Sequence, residues 1–328
     1  MHRRTRSTLL IVAAVLVLLA LALFLRSKAP PEAARLLPES DGILYVNLKP
    51  VRAFFRKVKT PERDPEYQQF VDATGIDWEQ DLDQVAIALH RMQDPNGPNG
   101  PVAYSLVLVG RVTGAKLNAW LGGHAATTEN YGGKTIYEIA SAGRTVRVAQ
   151  IGYDMLAVSN TPTPEQIHSI IDRHRTAALP FSGSSLLEAH FHEVPLLSVA
   201  WGVGQIGLPF SESGAIRVFG FSLPLQPDST IIASVAPALP VPGSLGSLKM
   251  KVEEIAPSEE AATSQAADLA TLVTLARGMA APLGDNAANS GLKELLKTTE
   301  VTQHRDHVTV TSTLPASFLA RLAEGGQE

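Results

Sequence analysis

The chain has 328 residues, 45% of them hydrophobic and 18% charged, with no cysteine and a formal net charge of -4. That apolar content excludes a disordered chain. The missing cysteine excludes a disulfide scaffold, a Cys-ligated metal centre and a thiol nucleophile.

The N-terminus sets the organisation. Leu9 to Leu25 is an unbroken apolar run of 17 residues, preceded by Arg3, Arg4 and Arg6 and followed by Arg26 and Lys28. As a helix it would span roughly 25 Å, close to a bilayer core once its flanks snorkel. The basic flank ahead of it predicts a cytoplasmic tail over 1–8, a single-pass inner-membrane anchor over 9–25 and a periplasmic remainder. A cleaved signal peptide is the competing reading. Its apolar region would be shorter, and Ser27-Lys28-Ala29 is followed at once by Pro30. Residues 1–28 hold five basic residues and no acid. The remainder keeps 23 of the 28 basic residues against 32 acids, a net -9. An acidic exported part is a poor match for nucleic acid or for an anionic membrane surface, both of which it would repel weakly.

Residues 26–36, with Pro30-Pro31, read as a stiff linker. Two α+β modules with largely antiparallel sheets, 37–180 and 181–328, are expected to follow, with a similar element order that hints at duplication. In the first, Leu37 to Gly42 is a turn, Ile43 to Leu48 a strand and Val51 to Val58 a short helical stripe. Asp64-Pro65-Glu66 opens a helix with Tyr67, Phe70, Val71 and Thr74 on one face and Gly75 closing it. Asp77 with Gln80 reads as a capping box. Val85 to Leu89 and Tyr104 to Val109 are strands around the turn-rich Asp94 to Pro101. Thr113 caps a helix with Leu117, Trp120 and Leu121, stopped by Gly122-Gly123. Lys134 to Ala140, Arg144 to Ile151 and Met155 to Ser159 form a meander. Thr163-Pro164-Glu165 then starts a helix with Ile167, Ile170, Ile171 and His174 on its core face.

In the second module, Ser184 to Phe191 is helical. Leu196 to Trp201, Ile216 to Leu223, Ser229 to Ala236 and Leu248 to Ile255 are strands, and Ala238 to Gly246 is a turn region. Ser258 opens a long helix to about Ala280. Gly284 to Gly291 is a loop, Leu292 to Leu296 a short helix, Val301 to His304 and His307 to Thr313 a hairpin, and Pro315 to Leu322 a last helix.

Leu37-Pro38-Glu39-Ser40-Asp41, Asp64-Pro65-Glu66-Tyr67 with Phe70-Val71, and Thr74-Gly75-Ile76-Asp77 with Asp81-Leu82-Asp83 carry a resemblance, as does Gly110-Arg111 leading to Leu117. On these stretches the chain resembles a family of uncharacterised single-pass membrane-anchored envelope proteins of acidobacterial type. The resemblance is clearest from Leu37 to about His174. It implies an envelope location and carries over no catalytic residue.

Tests for a site fail one after another. Gly202-Val203-Gly204-Gln205-Ile206-Gly207 fits the dinucleotide fingerprint, but Pro209 interrupts the helix it needs, so a glycine-rich loop at a strand end is the better reading. Asp77, Glu79, Asp81 and Asp83 imitate a calcium loop, with Leu82 where glycine is required and Ala88 at the twelfth position. His190 and His192 (with Glu193), and His304 and His307 (with Asp306), are the weak metal candidates, each pair lacking a third ligand. Ser290 to Lys293 matches S-x-x-K without its partner motifs. No catalytic residue, cofactor or metal is therefore assigned. The leading expectation is a non-enzymatic binding or envelope-organising protein, partnered by the bilayer through Leu9 to Leu25 and by an envelope protein. The alternative is an apolar-ligand or lipid-handling module, and third a hydrolase without a recognisable motif.

Overall fold

The computed structural model describes residues 29–55, 64–141, 143–176, 183–205, 215–218, 221–224, 228–238, 247–282, 284 and 287–315. The anchor run Leu9–Leu25 and all but the first residue of the closing helix expected over Pro315–Leu322 lie outside them. Among the described residues no helix is long and apolar enough to cross a membrane.

In chain order the elements are α1 (Glu32–Arg35), β1 (Gly42–Asn47), α2 (Leu48–Phe55), α3 (Pro65–Thr74), α4 (Trp78–Asp81), β2 (Leu82–Arg91), β3 (Val102–Gly110), α5 (Ala115–His124), β4 (Thr127–Tyr131), β5 (Lys134–Ser141), β6 (Arg144–Gln150), β7 (Met155–Ser159), α6 (Glu165–Thr176) and α7 (Ser185–His190). A 3-10 turn (Phe191–Glu193) leads on to β8 (Ala200–Gln205), β9 (Ala215–Val218), β10 (Phe221–Pro224), β11 (Thr230–Pro237), β12 (Leu248–Ile255), α8 (Glu259–Ala280), α9 (Ala287–Thr298), β13 (Glu300–His304) and β14 (His307–Leu314). The class is α+β, as expected.

Twelve strands form one antiparallel sheet in the order β13-β14-β12-β11-β8-β1-β2-β3-β7-β6-β5-β4, and β9 and β10 form a separate hairpin. Strands from both halves thus share a single sheet. The seam is β1, whose Ile43 lies opposite Ala88 of β2 on one side and Val203 of β8 on the other.

Alternation along the strands gives the sheet two faces. On one, Ile43, Tyr45, Ala86, Ala88, Val107, Ala149, Ala157, Trp201, Val203 and Ile232 join the largest core cluster. Ala33 and Ala34 of α1, Ile167, Ile170 and Ile171 of α6 and Leu187 of α7 complete it. Alanines at 86, 88, 149 and 157 let these helices approach closely. Each fully buried isoleucine contributes about 1.5–3 kcal/mol. Ala33, Ala34, Leu36 and Leu37 are at most 1% exposed, so the stretch read as the far end of a linker is core. The opposite face is covered at one end by α3 and α5, where Phe70, Ile76 just past α3, and Leu117 and Leu121 of α5 join a cluster with Leu156 of β7. At the other end Ala262 and Leu269 of α8 pack on Val308, and Ala276 and Ala280 pack with Leu296 of α9.

Local signals explain most boundaries. The Asp64 carboxylate accepts the Glu66 N–H at 2.8 Å and Gly75 closes α3 at φ 72, with its N–H donating to Val71. Asp77 caps α4, but the residue reaching back to its N–H is Asp81, at 2.9 Å, and not Gln80. Ser258 caps α8 through the Ala261 N–H. Other elements depart from expectation. The Gly122-Gly123 pair lies inside α5, which runs on to His124 and starts after Gly114 with no side-chain cap. Thr113 donates instead to the Tyr153 carbonyl. β4 carries no strand signal in the sequence, because Thr127-Thr128-Glu129-Asn130-Tyr131 is polar and mostly exposed at the sheet edge. α9 begins at Ala287, inside the stretch read as a loop. The strand read as Ile216 to Leu223 is the β9–β10 hairpin.

Candidate functional site

A cleft of about 780 Å³ opens where the β4–β5 and β6–β7 turns meet α1, α5 and α6. Glu32, Lys134 and Asp154 bring charge to its wall, His174 brings an imidazole, and Tyr153 stands 87% exposed beside them. Gln150 donates to the Gly152 carbonyl at 3.2 Å and accepts from Asn118 at 3.4 Å, which ties the turn to α5. Gly152 lies beside the ring, where a Cβ would stand in ordinary contact with His174 Nε2 at 3.6 Å. His174, expected in the packed core, is half-buried at this wall. Burial holds its pKa below the ordinary histidine value, helped by Lys134 and opposed by Glu32 and Asp154. At neutral pH it is an uncharged donor and acceptor. Such a cleft suits a polar ligand and is not the apolar enclosure that lipid handling requires.

A second constellation escaped sequence reasoning. His90 of β2, Ser105 of β3 and Ser159 of β7 stand in a row on the core face. His90 Nε2 is 3.0 Å from Ser105 Oγ, which is 3.1 Å from Ser159 Oγ. The chain continues to Thr161 Oγ1 at 2.8 Å, and that hydroxyl donates to the Thr163 carbonyl at 2.9 Å. Burial lowers the His90 pKa, against the Asp41 charge and the Glu39 backbone. On distances alone this is a base–nucleophile pair. Ser105 and Ser159 are 0% exposed, however, and neither lines a described cleft. The row satisfies polar groups inside the sheet. Its signal in the sequence is weak: one polar residue at an inward position in each of three strands.

The histidine candidates separate. His190 ends α7, half-buried, with its pKa lowered by burial and by neighbouring His192. His192 is largely exposed and pairs with Glu193 at 2.9 Å. His304 sits opposite His307 across the Arg305-Asp306 turn. The structure brings His307 instead to Glu253 and Glu193, the three donor sets lying within 4.8 Å of one another. Glu253 and His307 share a sheet face on adjacent strands, and the 3-10 turn delivers Glu193 from across the sheet. This cluster fits a divalent cation in donor type. Its charge is already offset. Lys251 Nζ lies 2.5 Å from one Glu253 oxygen, and His307 Nδ1 lies 3.1 Å from the other.

The remaining motifs resolve structurally. Gly202 and Gly204 are interior residues of β8, not a loop, and a Cβ at 202 would meet Leu44 Cδ2 at 2.6 Å. Asp81 pairs with Arg111 at 2.7 Å, and Asp83 pairs with Lys49 at 3.1 Å and with Arg52. Ser290 lies inside α9. Trp78 and Trp120 pack on Phe70, and Trp201 stacks on Tyr45 with centroids 5.4 Å apart.

No protein-family model and no curated protein matches the chain. Among solved structures it is similar to crystal form I of TP0453, with TM-score 0.44, 11% identity, and coverage of 90% of this chain and 98% of that one. Crystal form III gives TM-score 0.42 at 10% identity, covering 90% of this chain and 99% of that one. The likeness is one of chain outline, and no site residue is carried across it.

Proposed function

We propose that this chain is a non-enzymatic binding or organising protein of the cell envelope, held directly against the inner membrane on its periplasmic side by Leu9–Leu25. The observation that carries this reading is the absence of slack between the apolar run and the fold. Only four residue steps separate Leu25 from Ala29, which already lines a cavity with Trp201, and Ala33 and Ala34 are buried in the main core. Four steps span at most about 14 Å. A body held this close presents one end of its strands to the membrane and its other surfaces to partners. The non-enzymatic part rests on the polar constellations themselves. The serine–histidine row is sealed, Glu253 of the Glu193 cluster is already paired with Lys251, and His174 has no nucleophile hydrogen-bonded to it among the described residues.

An alkaline phosphatase fusion after residue 40 should be active, and an inactive fusion would sink the topology. Pull-down of the full-length chain from membranes should retain envelope proteins. Turnover of model ester, phosphate or peptide substrates that fell on His174→Ala would refute the non-enzymatic reading.

A further inference from the structure

We propose that the Leu196-Leu197 turn is a second membrane contact, dipping into the headgroup–acyl boundary of the same bilayer that holds Leu9–Leu25. The inference rests on the anchored reading above and adds a specific surface to it.

Three observations meet at this turn. First, Leu196 and Leu197 are 52% and 81% exposed, side by side at the tip of a tight turn. Ser198 N–H donates to the Pro195 carbonyl at 3.2 Å, and the Ser198 hydroxyl donates to the same oxygen at 2.7 Å. The two leucines are therefore the central residues of a turn, the positions that point furthest from the fold. Second, Leu197 has φ 70. That left-handed backbone suits glycine or asparagine at the third position of such a turn, and a bulky L-residue there is strained. Folding alone favours a small or polar residue. A leucine both strained and so exposed gains little from packing within the chain, so its contribution lies outside it.

Third, the position is right. Ala29 and Pro31 line one cavity of about 260 Å³ with Phe191, Leu196, Leu197 and Trp201. The turn thus sits beside the first described residues, within a few residues' reach of the end of the apolar run. It is also held firmly. The chain enters β8 three residues later, in the middle of the twelve-stranded sheet, with Trp201 packed between Tyr45 and Phe191. A short apolar tip on a firm base beside a membrane exit fits shallow interfacial insertion. The far end of the sheet is different. The β2–β3 turn over Asp94 to Pro101 is built of polar and turn residues, and β2 carries it about 30 Å away.

The test uses the full-length chain reconstituted into vesicles of phosphatidylcholine and phosphatidylglycerol. Because the chain has no cysteine, Leu197→Cys and Asn96→Cys each give a single attachment point for an environment-sensitive nitrobenzoxadiazole dye. With bromine-labelled acyl chains, the dye at 197 should be blue-shifted and quenched about twofold more than at 96. Parent-like thermal melts check that both variants fold, and Leu196→Cys repeats the readout one residue away. Alkaline extraction separates the two ways of failing. If the protein stays in the vesicles while 196 and 197 read like 96, the second contact is overturned and the anchor stands. If alkali strips the protein off, the anchored reading falls and this inference falls with it.

Discussion

Replacing Gly110 with alanine probes the tightest backbone approach in the sheet. Gly110 ends β3 opposite Leu82, where the register shifts so that Gln84 already faces Val109. Its φ is 154, in a region that is nearly glycine-only. A Cβ there would sit 2.0 Å from the Asp81 carbonyl oxygen, 2.9 Å from the Asp83 nitrogen and 3.0 Å from the Asp81 carbonyl carbon. All three are backbone atoms, so no side-chain rotation relieves the overlap and the strands must part. Parting them breaks the Arg111 N–H to Asp81 oxygen bond at 2.8 Å and loosens the Gly110 N–H to Asp154 oxygen bond at 2.9 Å. Each is worth about 1 kcal/mol, and the backbone strain adds about 1–2 kcal/mol. The sum, about 3–4 kcal/mol, corresponds to a melting temperature lower by roughly 4–6 °C for a chain of this size.

Tryptophan fluorescence melts of the full-length chain in detergent measure this, since Trp78 and Trp120 pack into the core beside this junction. Gly123→Ala is the matched control. It lies inside α5 with nothing within 4 Å of the point where a Cβ would stand, and should stabilise by about 0.5–1 kcal/mol. A Gly110→Ala variant that melted within about 1 °C of the parent would refute the bulge geometry.

Other expectations follow from the same reasoning. Burial lowers the His90 pKa, so the unfolded chain takes up the proton first as pH falls through about 6.5, and stability drops below that pH. His90→Gln should flatten the change in urea midpoint between pH 7.5 and 5.5 by a measurable fraction; equal slopes would count against the assignment. Zinc should leave the melting temperature of the parent unchanged, because Lys251 occupies Glu253, whereas Lys251→Met should allow zinc to raise it. A rise in the parent that Glu193→Gln abolishes would show that the lysine does not block the site. Leu197→Asn relieves the left-handed strain and should stabilise the chain in detergent by about 1 kcal/mol; an unchanged or lower melting temperature would remove the strain argument.

Where a backbone decision is local, it is readable from the residues. Asp64-Pro65 and Gly75 bound α3, and Ser258 opens α8, because caps and αL stops act within a few residues. β12 runs from Leu248 to Ile255, the bounds its residues predict. Pairing is not readable. Ile43 meets Val203 across 160 positions, and nothing near either residue announces the other. The glycines of β8 mislead for the same reason. Gly202 looks like a turn residue until Leu44 is seen to fill the space its side chain would take. Gly122 and Gly123 mislead in the opposite way, since α5 tolerates both where Leu117 and Leu121 hold the helix on the core. The Glu193–Glu253–His307 cluster joins three distant segments, so motif spacing could name Glu193 and His307 apart but neither bring them together nor name Glu253.

The same long-range pairing gives the anchored reading its mechanical content. If residues 26–36 were a free linker, the body could swing and no surface would be membrane-facing by construction. Instead Ala33 and Ala34 are clamped under the sheet, and Glu39 is tied to α6 and α7. Its carboxylate accepts from Arg173 at 2.9 Å and from the Ser185 hydroxyl at 2.6 Å and amide at 2.9 Å. Partial burial pushes the Glu39 pKa up, but Ser185 and Arg173 together outweigh it and hold the carboxyl below its ordinary value, so the tie is intact at neutral pH. The segment that follows the apolar run is therefore fixed to elements of both halves. Because β1 also joins both halves into one sheet, on the proposed anchoring the position of Ala29 determines which end of the strands would lie near the membrane. That end is the one bearing Leu196 and Leu197, and it follows that the polar β2–β3 turn points away from the bilayer wherever the anchor holds.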